Sequence, residues 1–289
     1  MEHKINLREE RDFGQKINAV FTFLQQNFNP LFKCLLFIAG PLALVSGFFM
    51  GMYQSKVLTA VNNVGLWRGN TQQVFTPSYF LAVSFTYISF AVVFLVVYGY
   101  LAEYLEASNK EITPTLVWKR VKQNLLYSIL ATIGLFIITC IGLLLLAIPG
   151  IYIAVAFQLA LIIIVMEKVS FFDLISRCFF LIRGKWWSTF GLLLVVGIIQ
   201  IVLGLVFAIP TYLMTLAGVL HIDFANNNIF IIFGTLFSTI GGTFLYSITA
   251  LAIAFQYFNL VEKKEGTGLL EEVELLGQTQ PVAHNEGDF

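Results

Sequence analysis

The sequence predicts an all-α, polytopic membrane protein: six transmembrane helices arranged as three hairpins, each preceded by an amphipathic helix at the cytoplasmic interface. Three observations predict it. First, the chain has 289 residues, of which 58% are hydrophobic and only 12% charged, with a mean hydropathy of +0.81, whereas soluble domains carry about 25% charged residues. Second, apolar residues cover whole helical turns for some twenty residues at a time, without the polar face of a core helix or the alternation of a transmembrane strand. Third, all lysines and arginines except Lys56 and Arg68 fall on one side of the spans so defined.

The elements follow in order. From Phe13 the apolar residues Phe13, Ile17, Val20, Phe21, Leu24 and Phe28 form one helical stripe, with Arg11, Gln15, Lys16, Asn18, Gln25 and Gln26 opposite. Pro30 closes this helix, and residues 1–30 form a cytoplasmic N-terminal segment. Helices rise about 1.5 Å per residue, so about 20 residues cross the hydrocarbon. Six runs suffice: 31–53, 79–101, 125–148, 151–166, 187–209 and 235–260, the last within Ile229 to Leu260. The third and fourth runs are contiguous. Pro149-Gly150 between them reads as a hairpin, since proline lacks a donor and glycine permits a left-handed turn. Gly241-Gly242 is a candidate kink in the sixth run.

The second amphipathic segment, "ITPTLVWKRVK", has Thr113 as N-cap and Pro114 at the first helical position. The third, "SFFDLISRCFFLIRGKWW", pairs Ser170 with Asp173 as a cap and Asp173 with Arg177 four residues on, and Gly184 ends it in a left-handed turn. Trp186 and Trp187 then sit at headgroup level.

"Ala-Ile-Pro" occurs at 147–149 and again at 208–210, and "AVAFQ" (154–158) is echoed by "AIAFQ" (252–256). This predicts a parallel internal repeat in which Pro149 and Pro210 mark equivalent outer ends, and Gln158 and Gln256 equivalent depths. Polar outer loops are expected at Gln54–Ser78 and Ala217–Asn228, and an acidic, disordered cytoplasmic tail over 261–289. The positive-inside rule places both termini in the cytoplasm. The N-terminus, with Glu9, Glu10 and Asp12, is no cleaved signal peptide.

The stretch Pro149 to Trp187 resembles the membrane-domain superfamily of glycerophosphoryl diester phosphodiesterases, on Pro149, Gly150, Glu167, Ser176, Arg177, Leu181 and Gly184. The resemblance implies a bacterial inner-membrane domain. It implies no phosphodiesterase, because the soluble catalytic barrel of such enzymes is not in this sequence.

No span carries an ionisable residue near its centre, so a buried-carboxylate pump is disfavoured. Cys34, Cys140 and Cys178 lack motif spacing and read as small hydrophobes, and His3, His221 and His284 are scattered, so no metal site or cofactor is expected. Ser176 has no activating histidine nearby. Lys119, Arg120, Lys122, Arg177, Arg183 and Lys185 form basic edges suited to lipid phosphates, with Glu103, Glu106, Glu167 and Glu262 as pairing acids. Gln158, Gln200 and Gln256 are the polar residues at depth, read either as interhelical glue or as a lining. The expectation is therefore a non-enzymatic inner-membrane scaffold or accessory component. Its partners are membrane lipids and a protein docked at the acidic tail, not nucleic acid. The rival is a permease for an amphipathic solute lined by the three glutamines.

Overall fold

The computed structural model describes residues 5–64, 76–106, 111–220, 228–268, 270 and 273. Ten helices account for nearly all of them, and no strand occurs among the described residues. They are α1 (Phe13–Gln26), α2 (Phe28–Ile38), α3 (Gly40–Val64), α4 (Pro77–Glu106), α5 (Pro114–Leu145), α6 (Ala147–Phe157), α7 (Ala160–Glu167), α8 (Phe171–Ile182), α9 (Trp186–Val219) and α10 (Asn228–Glu265).

α1 begins with a reciprocal cap. The Asp12 carboxylate accepts from the Gln15 N–H and the Gln15 amide oxygen accepts from the Asp12 N–H, both at 2.9 Å. Its packed face is not the expected stripe. Lys16, Ala19, Val20 and Phe23 are buried, while Phe13 and Phe28 are 40% and 52% exposed. The helix is rotated because α10 offers polar partners for Lys16, and lipid accepts the phenylalanines. Pro30 does not close α1. It occupies the first turn of α2, where a missing N–H costs no bond. In place of one straight first span, α2 and α3 are bent by 56° relative to each other. The bend falls at Pro41, which cannot donate to the preceding turn and crowds its carbonyl.

The second amphipathic segment is not separate from its span: α5 runs unbroken from Pro114. α5 ends at Leu146, whose extended backbone (φ −153°, ψ 123°) breaks the helix. Pro149 and Gly150 lie in the first turn of α6. So Gly150 makes no left-handed turn. It lets α6 fold back onto α5, since a Cβ there would meet the Leu143 backbone at 2.6 Å. α6 and α7 are separated only by a loosened turn at Gln158-Leu159. α9 continues through Pro210 to Val219, so the two Ala-Ile-Pro triplets stand in different places, one opening a helix and one inside it. α10 is continuous through Gly241-Gly242. α3 reaches Val64, into the stretch expected as a loop from Gln54. Trp67, Arg68, His221, Asp223 and the acidic tail beyond residue 273 lie outside the described residues.

The core sits at one end of the bundle, where most of Val92–Tyr104 of α4, residues 160–165 of α7 and most of Ile248–Val261 of α10 are buried against one another. Elsewhere the outside is apolar: Leu144, Ile148, Phe136, Ile201 and Val206 are each more than 60% exposed. At about 25 cal/mol per Å² such a surface is untenable in water. Five helical segments are long and apolar enough to cross a membrane, namely α4, α5, α6 with α7, α9 and α10. There are six if bent α2–α3 is one span.

α3 and α10 approach closely in the half of the bundle away from that core. Gly47 and Gly51, spaced G-x-x-x-G, face α10, where a Cβ on Gly51 would lie 2.9 Å from Ile232 Cα.

Candidate functional site

The charged residues gather at the end of the bundle that holds the core. Lys168, with φ 52°, closes α7 in the left-handed conformation and turns the chain toward α8. Ser170 caps α8, its hydroxyl donating to Asp173 Oδ2 at 2.6 Å. Gly184, with φ +77°, terminates α8 as expected. This αL–helix–αL arrangement brings Arg177 beneath the end of α7 and beside the last turn of α10.

Arg177 does not pair with Asp173. Its Nε donates to Glu167 Oε2 at 2.7 Å and Oε1 at 3.0 Å, and its terminal nitrogens donate to Glu265. Tyr257 donates to Glu167 Oε1 at 2.7 Å. One guanidinium thus joins α7, α8 and α10, as only a planar five-donor group does. The Glu265 hydrogen bonds, and then Glu167, push the Arg177 pKa up against the opposing effect of burial. Next to it, burial pushes the Cys178 thiol up to about 12, so it is no thiolate nucleophile at neutral pH.

A cavity of about 440 Å³ opens here. Glu167, Arg177, Tyr257 and Glu265 form its polar wall, Leu105 and Met166 part of its apolar wall. The segment after α10 turns at Gly266 (φ +61°) and folds over the cavity, where the Glu262 carboxylate accepts from the Gly268 N–H at 2.7 Å.

A second polar group lies between α1, α9 and α10. Lys16, on the expected solvent face of α1, is 2% exposed. Its amine donates to Gln256 Oε1 at 2.7 Å and Ser188 Oγ at 3.2 Å, and Gln256 donates to Thr189 Oγ1 at 2.8 Å. The Arg11 backbone N–H donates to Asn259 Oδ1 at 2.9 Å, its guanidinium lying 5.4 Å from the Phe255 ring centroid. Burial, then Lys263, lowers the Lys16 pKa to about 8; Lys185 lowers it further and Asp12 opposes. In the undocked helix the amine titrates near 10.4. The undocked state therefore binds more protons between about pH 8 and 10.4, and docking of α1 strengthens as pH rises through that window. In a zwitterionic detergent, a cysteine placed at the buried Val20 is expected to label several-fold more slowly at pH 10 than at pH 7.5, after correction for thiolate content. Equal corrected rates overturn this reading.

The predicted residues are dispersed. Arg120 is held by Glu103 at 2.6 Å and by Glu106. Lys119, Lys122, Arg183 and Lys185 are exposed, and none of them forms an ion pair with a described residue. Ser176 bonds back to the Phe172 carbonyl at 3.1 Å. The glutamines do not converge. Gln158 is exposed at the α6–α7 turn, Gln200 accepts from Thr249, and Gln256 holds Lys16. None of the three lines the cavity beside Arg177. Pro149, Gly150 and Pro210 act in packing and helix geometry, as given above. Lys16, Asn259, Tyr257 and Glu265 were not marked by the sequence as site residues. Polar residues three and four apart at the end of an apolar run (Gln256, Asn259 and Lys263 on α10) are the available signal.

An apolar exterior and one charged end define a multi-pass helical membrane protein. Within that class the chain belongs to the family described as Domain of unknown function (DUF7847), whose family model matches residues 29–259. No curated protein and no solved structure matches the chain.

Proposed function

We propose that this protein is a non-enzymatic, lipid-contacting scaffold of the cytoplasmic membrane, with both termini on the cytoplasmic side and three successive hairpins. One observation carries the reading. Arg120 and Arg177 are each occupied by two glutamates, whereas Lys119 and Lys122 stand exposed close in sequence to Trp118, and Arg183 and Lys185 close in sequence to Trp187, which is 77% exposed. Exposed cations with an interfacial tryptophan suit the phosphates of an anionic leaflet, at about 1 kcal/mol per cation. The one-sided distribution of Lys and Arg supports the orientation. The likeness of Pro149–Trp187 to the phosphodiesterase membrane domain supports a membrane domain.

The test uses the full chain in nanodiscs of mixed phosphatidylglycerol and phosphatidylcholine. The triple variant Lys119→Gln, Lys122→Gln, Arg183→Gln is expected to lower the enrichment of phosphatidylglycerol around the protein by roughly threefold or more. Unchanged enrichment sinks the proposal.

A further inference from the structure

We infer that the hairpin of α5 with α6–α7 enters and leaves the membrane on the charged side of the bundle, and lies as an apolar wedge among the acyl chains of that one leaflet. This rests on the lipid-contacting reading above and names an element that makes the contact.

Both feet of the hairpin stand at the charged end. Arg120, near the start of α5, is held by Glu103 and Glu106 at the end of α4. Glu167, at the end of α7, is joined through Arg177 to Glu265 in the last turn of α10. The limb Ala147–Glu167 has 21 residues, about 30 Å of rise, so upright it reaches the opposite face of the hydrocarbon. Its contacts place it crosswise instead. Tyr152, five residues from Ala147, stacks 6.2 Å from Phe179 of α8 and 5.9 Å from Trp186, and its carbonyl accepts from the Trp186 indole N–H at 3.3 Å. The next residue of α8, Phe180, accepts from Lys264 in the last turn of α10. Trp186 opens α9, three residues ahead of Thr189, which accepts from Gln256 at 2.8 Å. Tyr152 and Glu167 are about 22 Å apart along their limb, yet both lie beside the charged end of α10. Beyond Tyr152 the limb rises only about 8 Å more to its tip, well short of a crossing of about 30 Å. α5 follows the same path, because the limbs touch through glycines. A Cβ on Gly142 would lie 3.1 Å from Ile153, and one on Gly150 would lie 2.6 Å from the Leu143 backbone.

The chemistry of the tip fixes its partner. No residue between Lys122 and Glu167 is charged, and the turn reads "LLLLAIPGI", whereas the links between α3 and α4 and between α9 and α10 carry Asn62-Asn63 and Asn226–Asn228. Leu144, Leu145, Leu146 and Ile148 at the tip, and Leu126 and Phe136 along α5, are each more than 60% exposed. Removing such a side chain from water gains about 1.5–3 kcal/mol, so acyl chains cover this surface. The break at Leu146 interrupts the helical ladder, and backbone groups freed there need water or headgroups. The height of Tyr152 supplies both environments, since interfacial helices bury their apolar side chains about 5–10 Å into the headgroup–acyl boundary.

The test is a pair of spin-label distances in the full chain in nanodiscs, in a Cys140→Ala background with Cys34 and Cys178 buried. Ile148→Cys is paired with Lys185→Cys, and separately with Leu213→Cys on α9, which rises about 40 Å from Trp186 to that point. Position 148 is expected to lie closer to 185 than to 213 by about 10 Å or more, whereas a hairpin that rises about 30 Å reverses the order and overturns the inference. The same pairs built from Leu144→Cys decide the matter if Ile148→Cys misfolds. The label at 148 is also expected to collide often with oxygen and rarely with a water-soluble nickel chelate. Shielding from both, as by a second copy, or free access of nickel overturns the lipid partner. Reversed distances with lowered phosphatidylglycerol enrichment in the Lys119→Gln, Lys122→Gln, Arg183→Gln variant overturn the wedge alone. The expected distances with unchanged enrichment in that variant overturn only the general reading.

Discussion

Gly51→Val is expected to destabilise the protein by about 2–3 kcal/mol, near the upper end for overpacking a tight interface. A Cβ at position 51 lies 2.9 Å from Ile232 Cα and 3.2 Å from Ile232 O, so relief requires backbone movement of α10. At Gly47 the nearest atom is Leu236 Cα at 3.2 Å, and Gly47→Ala is expected to cost less. In lipid there is no hydrophobic drive between helices, so close backbone approach through small residues supplies the attraction. Gly197 and Gly204 in α9 have nothing within 4 Å of an added Cβ. Gly197→Ala and Gly204→Ala are therefore matched controls expected to be near neutral. Melting in detergent, followed by a thiol-reactive dye at buried Cys34 and Cys178, is expected to fall by roughly 5–10 °C for Gly51→Val. A melt equal to that of the controls removes the α3–α10 contact as a source of stability.

The same physics explains what was legible beforehand. Run length and charge placement announced the spans, because lipid demands about 20 apolar residues whatever the packing. Local signals held too: Ser170 caps α8 and Gly184 ends it with positive φ. Which face of each helix is buried was not legible. Lipid-facing and core-facing residues are equally apolar, so the stripe through Phe13, Val20 and Phe28 did not separate them. A helical period also treats every charge as solvent-seeking, and so misplaced Lys16, whose partners lie 172 and 240 residues away. The Asp173–Arg177 pair was inferred from spacing alone, yet Glu167 and Glu265 outcompete Asp173, which is engaged by Ser170. The G-x-x-x-G at 47–51 is legible in the sequence and marks the α3 face that meets α10.

Arg177→Gln is expected to cost about 2–3 kcal/mol, below the 3–5 kcal/mol typical of breaking a fully buried pair. Arg177 and Glu167 each keep about a fifth of their side-chain exposure and Glu265 a third, so solvent screens part of the loss. The cost arises because two carboxylates on α7 and α10 lose their shared cation while Tyr257 continues to hold one of them in place. Arg177→Lys restores charge but not the fork that reaches both acids, and is expected to recover less than half of the loss. Adding Glu265→Gln to Arg177→Gln removes one stranded carboxylate, so the double variant is expected to be more stable than Arg177→Gln alone, with a coupling of 1 kcal/mol or more. Because α8 is tied to α7 and α10 through this residue, Cys178 is expected to label several-fold faster in Arg177→Gln under native conditions. If Arg177→Gln melts within about 0.5 kcal/mol of the parent and leaves Cys178 protected, α8 is held by its apolar face through Leu174, Leu181 and Ile182, and the arginine bridge is an accessory to that packing.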